Sequence, residues 1–158
     1  GAAPGGWTSY IEKKISKHGR LIAVDPLEVK GGPKTVHIKG CVGTGEIDLE
    51  IERILNGYLL DIVLSDMAPN ISGVKVVDQA KSLELANLAL SIGSRWLKEG
   101  GALVVKCFQS PDLGEFVEQL KRSFATVRLV KPHASRSQSS ELYVVAKNLV
   151  EKSAGQVE

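Results

Sequence analysis

Short apolar runs alternate with amphipathic segments along this chain, and three of the runs carry a charge at one end. Asp61-Ile62-Val63-Leu64-Ser65 leads into Asp66, Ala102-Leu103-Val104-Val105 leads into Lys106, and Glu141 precedes Leu142-Tyr143-Val144-Val145. In a parallel α/β sheet, ligands collect beyond the carboxyl ends of the strands. A lysine at the end of a buried strand must keep its hydration or find carboxylate partners. An acid, a base and a second acid converging on one cleft point to an enzyme.

The spacing of apolar residues predicts the elements. Trp7, Tyr10, Ile11 and Ile15 recur at helical spacing, giving a first helix that ends near His18-Gly19. Strands are expected over 20–24, 35–38, 59–64, 102–105, 127–130 and 142–146. A helix is expected over 47–55, closed by Asn56-Gly57. A longer one over 76–97 would turn Val77, Ala80, Leu83, Leu85, Ala86, Leu88, Leu90 and Trp96 inward. Asp112 is placed to N-cap a helix running to Phe124. This alternation argues for an α/β fold with a mostly parallel, doubly wound sheet. The helix-free link from Lys131 to Ser140 makes the last strand antiparallel. We expect one domain over residues 1–150 and a flexible tail over 151–158.

At 158 residues, with 43% hydrophobic and 24% charged residues, the composition is that of a globular domain. No apolar run approaches the roughly 20 residues needed to span a bilayer. A net charge of +2 permits a polyanionic partner without requiring one. Lys121, Arg122, Arg128, Lys131 and Arg136 gather toward the end of the chain, as a phosphate-facing patch or a solvated helix face and loop. Cys41 and Cys107 have neither metal-type nor thioredoxin-type spacing, which fits a reduced, cytoplasmic compartment. His18, His37 and His133 lack ligand spacing, and no metal is expected.

Gly1-Ala2-Ala3-Pro4-Gly5-Gly6-Trp7 is a glycine-rich turn opening a helix, a setting in which backbone N–H groups face a ligand. The spacing is not that of a dinucleotide fingerprint, no Walker lysine follows, and a plain turn is the bland alternative. Such a turn normally follows a strand. The sequence is therefore expected to lack the first strand of its sheet, leaving that strand's neighbours with unpaired backbone groups. Asp25 lies twenty residues after Gly5 at a strand end, the position of a ribose-binding acid. Its bland alternative is a turn former before Pro26.

Four separated motifs carry a specific resemblance: Gly1 to Trp7; Ser65-Asp66-Met67-Ala68-Pro69-Asn70 with Ser72-Gly73; Val104-Val105-Lys106-Cys107-Phe108-Gln109; and Lys131-Pro132 with Ser135-Arg136 and Ser139-Ser140-Glu141. In this order, over nearly the whole chain, they resemble the FtsJ-type ribosomal RNA 2′-O-methyltransferases. The resemblance implies a Rossmann-like fold, an S-adenosylmethionine cofactor and a Lys-Asp-Lys-Glu tetrad. It implies that Gly5 and Trp7 line the methionine end of the cofactor and that Asp25 holds its ribose. Asp66 would serve cofactor and tetrad, Lys106 would be the catalytic lysine, and Glu141 the last member. Lys131, Ser135 and Arg136 are the candidates for RNA contact. The implied partner is large-subunit ribosomal RNA, bound by a monomer.

Two departures stand out. The other family lysine belongs upstream of the glycine turn, and nothing in this sequence matches it. Carboxylates flanking a lysine favour its charged form, which opposes a base role unless a second cation counters them. The chain alone is thus expected to transfer methyl groups poorly, and an upstream segment to restore activity. After the strand expected over 35–38 the family commonly has an acid near the adenine; here Gly40 is followed by Cys41, a poor acceptor and possible cofactor neighbour that also suits a small buried position. Phe108 and Trp96 read as packing residues. The alternatives are an enzyme acting on transfer RNA or a messenger cap, and a catalytically impaired module that binds cofactor or RNA. A nicotinamide oxidoreductase lacks its glycine spacing.

Overall fold

The computed structural model describes residues 1–132 and 140–150. The chain divides into two compact units, Gly1–Tyr58 and Leu59–Glu158. In the first, helix α1 (Gly6–Lys14) precedes strands β1 (Leu21–Asp25) and β2 (Thr35–Lys39) and helix α2 (Gly45–Leu55). β1 and β2 pair in parallel, from Leu21 opposite Thr35 to Asp25 opposite Lys39. Ala23, Ile38, Ile47, Ile51 and Leu55 are buried, the last three on one face of α2 at intervals of four. Asn56 ends that helix in the left-handed conformation, as its Asn-Gly signal required.

α1 stops four residues earlier than its apolar spacing predicts. Tyr10 is exposed rather than inward, with the Lys14 ammonium 5.6 Å from its ring centre. The helix is held by polar contacts instead. The Glu12 carboxylate accepts the Thr35 hydroxyl at 2.7 Å and the Lys34 N–H at 3.1 Å, while the Lys34 ammonium donates to the carbonyls of Glu12 and Ile15.

The second unit holds β3 (Leu60–Ser65), α3 (Lys75–Trp96), β4 (Leu97–Phe108), α4 (Leu113–Lys121), β5 (Phe124–Val130) and β6 (Glu141–Leu149). Its sheet runs β3-β4-β6-β5, with β3 and β4 parallel and β6 antiparallel to both neighbours. Among the described residues, β1 is therefore paired with β2 alone, and β3 with β4 alone. The antiparallel end was legible in the sequence; that the last strand inserts inside the sheet was not. The result is a mixed sheet, parallel between β3 and β4 and antiparallel on both sides of the C-terminal strand.

Alternation along β4 and β6 separates two faces. Leu103, Val105 and Cys107 of β4 and Leu142, Val144 and Ala146 of β6 are buried in a core with Ala86, Ala89 and Leu90 of α3 and Phe116 and Leu120 of α4. Ala102, Val104, Lys106, Tyr143 and Val145 point the other way and are half-buried. α3 buries Asp78 and Ser82 in its first turns, where hydrophobic spacing had placed Val77 and Ala80. Both polar groups are satisfied: Ser82 Oγ accepts the Phe108 N–H at 3.0 Å, and Asp78 accepts the N–H groups of Ser72 and Gly73. α4 ends before Phe124, which is the buried first residue of β5. Asp112 occupies the N-cap position without a side-chain bond.

Cys107 is buried, and burial pushes its thiol up to about 12, while Cys41 is exposed rather than a small buried residue. A thiol reagent at mildly alkaline pH is therefore expected to label Cys41 in the native protein and both cysteines after denaturation, as counted by mass spectrometry.

Candidate active site

The register of the four-stranded sheet builds one row of polar side chains. β3 ends at Ser65, opposite Val105, so Asp66 follows directly beside Lys106; in the other direction Lys106 faces Tyr143 across the antiparallel ladder. Lys106 thus lies two residues inside β4 rather than beyond its end. Cross-strand neighbours on one face are close enough to bond directly. The Lys106 ammonium is 3.0 Å from Asp66 Oδ1 and also donates to the Asp66 carbonyl at 3.3 Å. The Tyr143 hydroxyl donates to the same Oδ1 at 2.7 Å.

The Lys106 side chain is 13% exposed and that of Asp66 28%. Partial withdrawal from water strengthens such a pair, and removing one member would leave the other poorly compensated. The second carboxylate oxygen of Asp66 receives no protein donor among the described residues. Burial, then the bond to Asp66 and the charges of Asp66 and Glu141, raise the Tyr143 hydroxyl above the ordinary tyrosine range. It remains a neutral donor at physiological pH.

Glu141 opens β6 opposite Phe108, two residues before Tyr143 and on the same face of the strand. Its charge acts on the tyrosine. Tyr143 was not singled out from the sequence, although a period of two puts it on the same strand face as Glu141.

The loop after Asp66 is tied down by α3. Asp78 accepts the Ser72 N–H at 2.8 Å, the Ser72 hydroxyl at 2.7 Å and the Gly73 N–H at 3.3 Å. These bonds, with Ser72 foremost, hold its carboxyl below the usual range.

In the first unit Asp25 closes β1. Its Oδ2 accepts the Ala3 N–H at 3.0 Å and its Oδ1 the Leu27 N–H at 2.8 Å. The Leu27 bond is the expected turn chemistry, and the Ala3 bond ties the glycine-rich opening to the strand end. Oδ1 retains a lone pair for a further donor. Burial pushes this carboxyl up, but the two N–H groups and the terminal ammonium outweigh it, so it lies below the usual aspartate range. Gly5, at φ 114°, lets the Lys30 backbone approach so closely that a Cβ would fall 2.3 Å from its carbonyl oxygen. Its glycine is explained by that approach. Trp7 is half-buried on α1, and Cys41 is exposed just beyond β2. An open cleft lined by Glu12, Lys13, Gly32 and Lys34 includes none of the predicted site residues.

Of the other sequence candidates, Lys131 is exposed, and Ser135 and Arg136 lie outside the described residues. Phe108 and Trp96 are buried as packing residues. No metal-binding cluster occurs among the described residues, and no helix among them is long and apolar enough to cross a membrane.

An α/β chain with a glycine-rich helix start, a strand-end Asp and a lysine–carboxylate pair at adjoining strands is the framework of a nucleotide-cofactor transferase. Residues 1–149 match the FtsJ-like methyltransferase family, and the chain belongs to that family. It is an enzyme, a methyltransferase with a Rossmann-like fold and a mixed sheet. It is 43% identical over 145 residues to "Ribosomal RNA large subunit methyltransferase E" of Methylobacillus flagellatus, covering 92% of this chain and 70% of that protein. The identically named protein of Coxiella burnetii is 41% identical over 150 residues, with 92% and 71% covered. A solved Plasmodium falciparum structure, provisionally assigned as a ribosomal RNA methyltransferase, superposes with a TM-score of 0.86 at 26% identity, covering 96% of this chain and 85% of that one.

Two substitutions test the structural parts of the first unit. Gly5→Ala is expected to cost at least ~2 kcal/mol, because it combines a positive φ with a backbone collision. Asp25→Asn is expected to cost about 1–2 kcal/mol at neutral pH, read by denaturant unfolding. Since the folded carboxyl titrates below its unfolded value, its stabilisation is full above the unfolded pKa and is lost as pH falls through the folded one. The gap between parent and variant should therefore close in acid.

Proposed function

We propose that this methyltransferase moves a methyl group from S-adenosylmethionine to a ribose 2′-hydroxyl of RNA, with large-subunit ribosomal RNA of a bacterium as substrate and a uridine as the modified nucleoside. The observation that carries this reading is the Asp66–Lys106 pair, a carboxylate and an ammonium 3.0 Å apart on adjoining strands. The names of the relatives support the choice of substrate.

The donor set suits the cofactor. Asp25 keeps a lone pair on Oδ1 for a ribose hydroxyl, and Asp66 keeps one oxygen without a protein donor among the described residues. Gly5 and Trp7 are the family's contacts to the methionine end. Cys41 offers only a weak acceptor, so recognition of the adenine amino group rests elsewhere. When bound, the cofactor supplies a methyl on a positively charged sulfur, so the leaving group needs no activation and no metal.

The protein's contribution is then positioning and proton handling. The Lys106 ammonium would orient the 2′-hydroxyl by donating to its oxygen. As that oxygen bonds to the methyl carbon the carbon–sulfur bond breaks, and the hydroxyl proton would pass to Lys106 only in its neutral amine form, which a second cation has to favour. Asp66 fixes the lysine head, and Glu141 adds the second negative charge. Lys131, Ser135 and Arg136 contribute phosphate contacts, which set register without reading sequence. The protein acts as a monomer in the cytoplasm.

The test is transfer of labelled methyl groups to unmodified large-subunit particles, with the label located by resistance of the 2′-O-methylated linkage to alkali. It is run on this chain alone and on a chimera carrying the part of the Methylobacillus flagellatus relative that lies outside the match. Transfer by the chimera is the reference against which the variants are read. In the chimera, Lys106→Ala should lower turnover by about 100-fold or more, while calorimetry shows cofactor still bound. Label on a base, or a Lys106 variant at the parent rate, would overturn the assignment. Cofactor binding without transfer by either form would favour a binding module.

A further inference from the structure

The hydroxyl of Tyr143 has a task that the family assignment leaves unstated. It reaches across β4 to the carboxylate oxygen that also holds the Lys106 ammonium, at 2.7 Å against 3.0 Å for the ion pair. Asp66 follows the last residue of β3, and Tyr143 lies in the register position opposite Lys106. A carboxylate just past a strand end is anchored by its own backbone on one side only. Its single χ1 and χ2 torsions leave it several rotamers, and each swings the accepting oxygen away from the lysine. A donor fixed by its ring to a central strand removes that freedom.

We infer that Tyr143 is a positioning residue for methyl transfer: its hydroxyl locks the Asp66 carboxylate in the rotamer that aims the Lys106 ammonium. This rests on the reading of Lys106 as the catalytic lysine. Three observations carry it. Asp66 Oδ1 accepts from both residues, so the lysine and the tyrosine share one oxygen and are oriented by it together. The ring of Tyr143 is rooted between Lys106 on β4 and Val130 on β5, its cross-strand partners. Glu141, two residues earlier on the same face, bears on the tyrosine. Burial first, then the bond to Asp66 and the charges of Asp66 and Glu141, keep the hydroxyl protonated, so the tyrosine stays a donor through the range in which an enzyme of this kind works. Tyr143 touches neither substrate nor cofactor in this role and acts through Asp66.

The test is Tyr143→Phe, which keeps the ring and removes only the hydroxyl. Two readouts distinguish positioning from mere packing. In protein labelled with ¹⁵N-lysine, the Lys106 ammonium resonance, assigned by its loss in Lys106→Arg, is expected to exchange its protons about fivefold faster in Tyr143→Phe. In the extended, active form, the same variant should lose about tenfold in kcat with KM for the cofactor unchanged within about twofold. Unchanged exchange together with the parent kcat would overturn the inference. Should Tyr143→Phe fail to fold, Asp66→Asn serves instead. It should move the near-ultraviolet absorbance titration of Tyr143 part of the way down toward the ordinary tyrosine range, with burial accounting for the remainder. An unmoved titration would show that the hydroxyl is not bound to Asp66. If the catalytic reading of Lys106 is itself wrong, the outcome differs. Proton exchange still quickens in Tyr143→Phe, but Lys106→Ala transfers methyl groups at the parent rate.

Discussion

The second unit depends on how a cation is accommodated inside an apolar strand. Lys106 interrupts a β4 sequence whose neighbours are valine, cysteine and phenylalanine, and its side chain is largely withdrawn from water. An ammonium there is tolerable only with a carboxylate at bonding distance and further acceptors around it. The parallel register of β3 and β4 delivers the carboxylate and a carbonyl from the same residue, Asp66. The antiparallel register of β6 delivers the hydroxyl that fixes the carboxylate. Three strands, two parallel and one antiparallel, must align for one charged group to be held. The chemistry of the site is in that sense a by-product of strand register, and a slip of one residue in any of these strands would send its side chain to the opposite face.

Much of this was legible in the sequence because the signals were local. The helix over residues 45–55 announces itself by Ile47, Ile51 and Leu55 and by Asn56-Gly57. The strands around Val63, Val104 and Val144 are apolar runs with nothing else to be, and Asp66, Lys106 and Glu141 stand out as charges beside them. What escaped was non-local. That β6 lies between β4 and β5 follows from pairing across the sheet, which no segment encodes by itself. Tyr143 reads as an ordinary strand aromatic until its register partner is known.

Other differences arise where polar bonds replace apolar packing. Tyr10 and Val77 fit helical spacing yet are exposed, whereas Asp78 and Ser82 are buried because backbone N–H groups beside them need acceptors. Hydrophobic periodicity cannot register that demand. Gly5 shows the converse case: it was noticed as a residue that lets backbone approach a ligand, and in the structure the approaching backbone is that of Lys30. Asp25 carries both meanings at once, a turn acceptor for Leu27 and a tether for Ala3 that retains acceptor capacity.

The opening turns of α3 act as a mechanical tie. Asp78 grips the loop that leaves Asp66, Gln79 donates to the carbonyl of Gln109, and Ser82 accepts the N–H of Phe108. One helix therefore holds the trailing edges of two neighbouring strands. If α3 rocks or slides against the sheet, both edges travel with it, and the separation between ammonium and carboxylate is preserved during thermal breathing. The site behaves like two jaws bolted to a common bar, rigid in its gap though free to shift as a piece.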